Sequence, residues 1–412
     1  MTRWRLWGIG VVLLALMGGV GLRWLTLSNT ERSIETLPVS TIETATAETA
    51  IAESGAITPT KEAIAFRPTP TLTAPLLSVL PSADITGTLT FDTPYGKLWQ
   101  MPVRTGTQPR PLFQFPLKSF AFQPAWSPDG QQVAYGFIAP PDADGAQQGA
   151  LIWVANADGS DAHAVIDRKQ FTSTEPLQPS SYRDPIWAAD SQSIWVTLEY
   201  PRYDDAGDWV GVRHEVGRVW IATQRVEFVL PNANTPAPSP NGASIVYLRS
   251  SETSTRNSLW QASTTGKNET ILVDESCFEA IFKPNFSPDG QTIAFAASGD
   301  LQCVHERSTE STNNNPITMW KKLVNLILPH IALAHGDFPP ADVWLIDASG
   351  ENLRRLTNVY EDYPSPTWSH DGRFIAFSGL NGIYLVEVTS GKIGRISTYM
   401  HDGQVDWASP LP

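Results

Sequence analysis

None of the short motifs that most often announce catalysis occurs in this 412-residue sequence. It has no G-x-S-x-G elbow, H-E-x-x-H helix, phosphate-binding loop, dinucleotide fingerprint or zinc-type cysteine pair. The commonest warrants for an enzyme are therefore missing, although an enzyme is not excluded. Charge is sparse, at 17% of residues, and unbalanced, with a net charge of -13 and no local Lys/Arg cluster. Such a surface repels a phosphate backbone, so nucleic acid is excluded as a partner. Cysteine is nearly absent: Cys277 and Cys303 stand alone, as two isolated thiols or as one disulfide if the compartment is oxidising.

What is plentiful points to β-structure. Fifteen Trp, 33 Pro and 29 Gly suit a chain in which turns and aromatic packing outweigh helix surfaces. The N-terminus, "MTRWRLWGIGVVLLALMGGVGLRWL", holds an uncharged apolar run from Leu6 to Leu22 between Arg5 and Arg23. Residues 1–27 are read as a membrane anchor or, alternatively, a cleaved signal peptide. Either way the rest of the chain is expected outside the cytoplasm, periplasmic or extracellular, tethered to the membrane or secreted. Residues 28–83, rich in Thr, Ala, Glu, Ser and Pro without sustained periodicity, read as a disordered spacer.

From residue 84 the sequence repeats. "PAWSPDGQQVAYGFI", "PIWAADSQSIWVTLEY", "APSPNGASIVYLRS", "PNFSPDGQTIAFAAS" and "PTWSHDGRFIAFSGL" each place an aromatic or apolar residue, a turn and an alternating strand in one order. Each is followed by two further short strands, the first carrying Trp153, Trp220, Trp260, Trp344 or Tyr384. A unit of three strands at 85–113, with Trp99 in the aromatic place, lacks its first strand, and "GQVDWASP" at 403–410 supplies one. The layout is all-β: a six-bladed β-propeller, residues 84–412, closed by pairing of its N- and C-terminal strands. The Asp-Gly pairs are turn residues, since Asn241 stands in the place of the Asp and Ser191 in that of the Gly.

These repeats resemble those of the TolB family, called WD40-like or PD40 repeats, and the propeller of dipeptidyl peptidase IV-like enzymes. The resemblance implies the fold over residues 85–410 and little about function. It departs from TolB proteins before residue 84, where an anchor and linker are read in place of a small α/β domain, and the sequence given holds no hydrolase domain of the second kind.

Long links between second and third strands, at 139–150, 199–217 and 298–342, all fall on the face opposite the Asp-Gly turns. Elaboration of one face of a repeat fold marks it as the binding face. The third link contains Ile317, Trp320, Val324 and Ile327 at helical spacing, read as a short amphipathic helix that is either a lid or a docking element. His330, His335 and Asp337 beyond it match no common metal site, and no metal or cofactor is expected. Charges at the starts of innermost strands, Arg183, Asp184, Lys283, Glu361, Asp362 and also Asp406, are expected near the channel mouth, where with Trp320 they form the candidate ligand- or partner-binding set. The leading expectation is a binding or assembly module for a protein or peptide partner in the cell envelope. The alternative is a hydrolase or lyase that uses channel carboxylates on a peptide or carbohydrate.

Overall fold

The computed structural model describes residues 85–408 except 104–106, 147, 167–178, 252–253, 300, 304–339 and 399–402. The expected anchor and linker lie outside the described residues, as do Trp320, His330, His335, Asp337 and most of the third long link.

Six four-stranded antiparallel sheets make up the fold. The first blade in space joins β1 (Thr88–Asp92), β2 (Leu98–Pro102) and β3 (Arg110–Pro111) to a last strand that comes from the far end of the chain. Next come β4 (Phe120–Trp126), β5 (Gln132–Ile138), β6 (Leu151–Asn156) and β7 (His163–Ala164), then β8 (Ser181–Trp187), β9 (Ser193–Tyr203), β10 (Trp209–Trp220) and β11 (Val226–Pro231). The fourth sheet in chain order after these is β12 (Asn234–Pro238), β13 (Ser244–Ser250), β14 (Asn257–Ser263) and β15 (Thr270–Val273). Two more follow: β16 (Ala280–Phe286), β17 (Thr292–Ser298), β18 (Ala341–Asp347) and β19 (Arg354–Arg355), then β20 (Thr367–Trp368), β21 (Phe374–Gly379), β22 (Gly382–Glu387) and β23 (Ile393–Ser397). Strand β24 (Val405–Ala408) pairs with β1, Leu89 opposite Trp407 and Phe91 opposite Val405, and closes the ring. The innermost strands β24, β4, β8, β12, β16 and β20 touch one another in turn around the axis.

Second strands depart from simple alternation. Strands β5, β17 and β21 are buried almost throughout, because each lies in the middle of a sheet that has neighbouring blades on both faces. Six apolar clusters fill the spaces, each drawing on adjacent blades or on one blade and its flanking loop. The motif aromatics also stitch blades through their indole N–H groups. Trp187 on β8 donates to Ala125 O at 3.0 Å, Trp368 on β20 to Asn285 O at 3.2 Å, and Trp126 on β4 to Thr90 Oγ1 at 2.9 Å.

One recurrent aromatic is displaced. Tyr135, Tyr247, Phe295, Phe377 and Phe91 stand opposite Trp153, Trp260, Trp344, Tyr384 and Trp99, but Trp195 stands opposite Arg218, not Trp220. The Arg218 guanidinium lies over both Trp195 and Trp220, 5.4 and 4.2 Å from the ring centres. A flat cation stacked on aromatic rings thus fills the place of an aromatic.

The Asp-Gly segments are turns. Asp129, Asp289 and Asp371 each accept from the motif serine at 2.6 Å and from a backbone N–H two residues on. Asn241 makes the same two bonds at 2.7 and 3.0 Å, and Ser191 takes φ 54°, where the four glycines take 69–71°. Asp289→Asn is therefore expected to change unfolding free energy by less than about 0.5 kcal/mol, and Asp289→Ala to lower it by about 1 kcal/mol; urea unfolding of the two variants checks both.

Candidate functional site

The site is built from one recurring position. In four innermost strands a proline (Pro124, Pro185, Pro236, Pro284) interrupts the ladder, since it has no N–H to donate. The register shifts at each: between Phe122 and Ala125, Arg183 and Ile186, Asn234 and Ala237, Phe282 and Asn285. The residue before each proline, Gln123, Asp184, Thr235 or Lys283, takes a left-handed φ of 45–53°. Non-glycine residues held there cost about 1–3 kcal/mol each and collect at functional sites.

Their side chains meet. The Lys283 ammonium, from β16, is paired with Asp184 Oδ1 on β8 and donates to Gln404 Oε1, just before β24, at 3.1 Å. These three strands alternate around the ring, so the ammonium lies across the channel, not along its wall. Gln123 completes the girdle, donating its amide to Asp184 Oδ1 at 2.7 Å and accepting the Asp184 backbone N–H at 2.9 Å. Thr197 on β9 donates to Asp184 Oδ2 at 2.8 Å and accepts from the Thr235 N–H at 2.9 Å. Burial alone would raise the Asp184 carboxyl; the Lys283 charge and hydrogen bond, with the Thr197 hydroxyl, more than reverse this and hold it below the usual range.

A second carboxylate has no such partner. Asp92, at the end of β1, is 8% exposed, and its Oδ1 accepts no hydrogen bond. Burial pushes it up to about 7 against the opposing pull of the Gln123 and Gln404 backbone N–H groups and the Lys283 charge. Gly403 makes room for it: a Cβ there would lie 2.2 Å from Asp92 Oδ1.

Of the charges expected near the mouth, the structure brings Asp184 and Lys283 together on the axis. Arg183 turns aside, its Nε 3.0 Å from Glu199 and its guanidinium over the Phe122 ring. Glu361 is elsewhere: buried, it accepts from Tyr384 Oη at 2.6 Å and the Asn381 amide at 3.0 Å, and its backbone pairs with Ala341. The reason is register, since β20 begins only at Thr367, six residues after Glu361. Asp362 lies beside Glu361 in the same segment, half-buried. Gln123, Gln404 and Asp92 escaped sequence reasoning; the first was signalled by its place before a motif proline. Among the described residues, no group of three His, Cys, Asp or Glu residues is arranged to hold a metal.

Cys277 and Cys303 form a disulfide, 26 residues apart, that brackets the β16–β17 hairpin and fixes the root of the third long link. Replacing both by Ser is expected to lower stability by about 3.5 kcal/mol, the chain-entropy value for a loop of that size. Urea unfolding with and without reductant measures it, and the double variant should be insensitive to the reductant.

No family model matches the chain. Over 37 residues it is 51% identical to the Tol-Pal system protein TolB of Nitratidesulfovibrio vulgaris, a match that takes in 9% of this chain and 8% of that protein. The crystal structure of TolB from Acinetobacter baumannii aligns with 78% of this chain and 66% of that one, at 14% identity and a TM-score of 0.50. The fold is a TolB-like propeller. Hydrazine synthase of Kuenenia stuttgartiensis, at 12% identity and a TM-score of 0.52, contains a similar arrangement over 79% of this chain and 47% of that one. The TolB-like propeller described here thus spans less than two thirds of each relative's own length, and what is shared is architecture.

Proposed function

We propose that this TolB-like propeller is exported and membrane-tethered, with residues 1–27 as anchor and 28–83 as spacer, and binds a protein or peptide partner in the cell envelope through the face that carries its long links, without chemistry of its own. The observation that carries this reading is the β9–β10 hairpin. Its strands run to 11 and 12 residues where the other strands have 7 or fewer, and they stay paired out to Tyr203 opposite Trp209. The hairpin therefore projects beyond its sheet. At its tip Tyr203, Trp209 and Val210 are 58, 43 and 52% exposed, beside exposed Asp204, Asp205 and Asp208. Exposed Trp and Tyr on a rigid support are the side chains that most often anchor protein interfaces. The acidic tip selects a partner with a basic rim around an apolar pocket, and the fold shared with the Tol-Pal system protein TolB supports the same reading.

A channel hydrolase or lyase would need a free carboxylate at the mouth. Asp184, on the axis, is already held by Lys283, Gln123 and Thr197. To test the binding reading, a photo-crosslinking residue is placed at position 206, exposed at the hairpin tip, of the full chain in its native membrane. Crosslinks to one partner, lost in Tyr203→Ser with Trp209→Ser, are the expected result. Partner contacts confined to the Asp-Gly face would sink the proposal.

A further inference from the structure

Two residues beyond the girdle, the innermost strands place a second ring on the axis, and that ring is divided in two. A cavity of about 180 Å³ runs from Asp184, Lys283 and Gln404 into this ring, where it is lined by Asp406, Asn285, Ile186 and Ala125. That is ample beside the roughly 10–15 Å³ a single water needs. The polar side chains of this ring come from one side: Asn285 on β16 and Asp406 on β24, with Ser365 just before β20 between them, and Thr367 on β20 donates to Asp406 Oδ1 at 3.2 Å. The apolar lining, Ala125 on β4 and Ile186 on β8, faces it from the other side.

The polar half carries an unbalanced charge. Asp406 Oδ2 accepts the Trp126 N–H at 2.6 Å, and no cationic side chain pairs with the carboxylate among the described residues. Lys283 is committed to the girdle above. Burial raises the Asp406 carboxyl against the pull of the Trp126 and Trp407 N–H groups and the Thr367 hydroxyl, the mark of a carboxylate that lacks a counter-charge. Among the described residues the Asn285 side-chain amide has no hydrogen-bond partner, although its backbone oxygen is used by Trp368. A carboxylate and an amide oxygen on one wall, with an alkyl surface opposite, match a group that donates several N–H bonds, bears a positive charge and ends in a short apolar chain. A divalent cation fits less well, since it requires six or more oxygens around it, whereas Ala125 and Ile186 bring no side-chain oxygen to this ring.

We propose that the axial cavity binds a small primary ammonium with a short alkyl chain, the ammonium on Asp406 and Asn285 and the chain against Ile186 and Ala125. The site is independent of the projecting hairpin.

The test uses the full chain and n-propylammonium chloride, followed by isothermal titration calorimetry at pH 8, with sodium propionate and calcium chloride titrated in parallel. Saturable binding of propylammonium, at least tenfold weaker in Asp406→Asn and several-fold weaker in Ile186→Phe, which fills the apolar half, is the expected result; propionate should not bind. Because Asp406 also ties Trp126 and Thr367, Asn285→Leu provides a variant that leaves those bonds in place, and it too should weaken binding about fivefold. Absence of saturable binding to the unaltered chain, equal affinity in Asp406→Asn and Asn285→Leu, or calcium binding lost in Asp406→Asn without any amine binding would each overturn the assignment.

Discussion

Replacing Lys283 by Met is expected to lower the unfolding free energy at pH 7 by roughly 3–5 kcal/mol, the cost of leaving a buried charge without its partner. The methionine keeps most of the stem volume, so the loss is electrostatic more than steric. Asp184, with a side chain 13% exposed, keeps only Gln123 and Thr197 and must be ionised at a cost or take up a proton. Removing both charges, as Lys283→Met with Asp184→Leu, is expected to recover most of the loss, because a pair of apolar groups of similar volume leaves nothing unsatisfied. A double-mutant cycle by guanidinium unfolding measures the coupling. If the two single losses simply add, the ammonium does not hold the axis together.

Asp92→Asn should act in the opposite direction. A carboxyl whose folded-state value is raised to about 7 from about 3.9 in the unfolded chain contributes stability that is fully present below pH 4 and lost as pH rises to 7. At pH 8 the cost of ionising it in place is roughly 4 kcal/mol. Asparagine has no such cost and keeps an oxygen for the neighbouring N–H groups. The variant is expected to match the unaltered chain at pH 4 and to exceed its stability by a few kcal/mol at pH 8. Thermal unfolding of both across pH 4–8 gives the difference, from which the titration of every other group cancels. A constant difference across that range would mean that Asp92 does not ionise within it.

Much of the architecture is legible in the sequence because a propeller repeats its local chemistry. "SPDG", "SPNG", "SHDG" and "AADS" all answer one backbone requirement, so their variation separates turn from active site. The split blade follows from an unmatched strand at each end. Legibility fails where side chains from distant segments meet. Asp184 and Lys283 were readable as charges at strand starts, but their pairing across the axis depends on bulges that the prolines impose. Gln123 and Gln404, being uncharged, gave no electrostatic signal, and Asp92 and Asp406 come from strands of the blade that the chain assembles from its two ends. Arg218 shows a further limit. Aligning aromatics places Trp220 in the repeat, whereas the pairing of β9 with β10 places an arginine there, and only stacking reconciles the two. Glu361 shows how one long connection, ahead of a two-residue innermost strand, shifts a charge from the axis into the wall between blades.

The closure of the ring has a consequence for how the chain is made. Trp407 donates to the Thr86 carbonyl across 321 residues of sequence, so β1 must wait, one edge bare, until nearly all of the propeller has emerged. An unpaired β edge is a template for another chain, and contacts this distant are among the last to form. A ribosome that stops short of Val405 therefore releases a sheet with an open edge, which a cell can recognise and remove. Pairing of β24 with β1 and loss of that edge are one event, so the first strands of the ring stay open to mispairing longer than any other part of it.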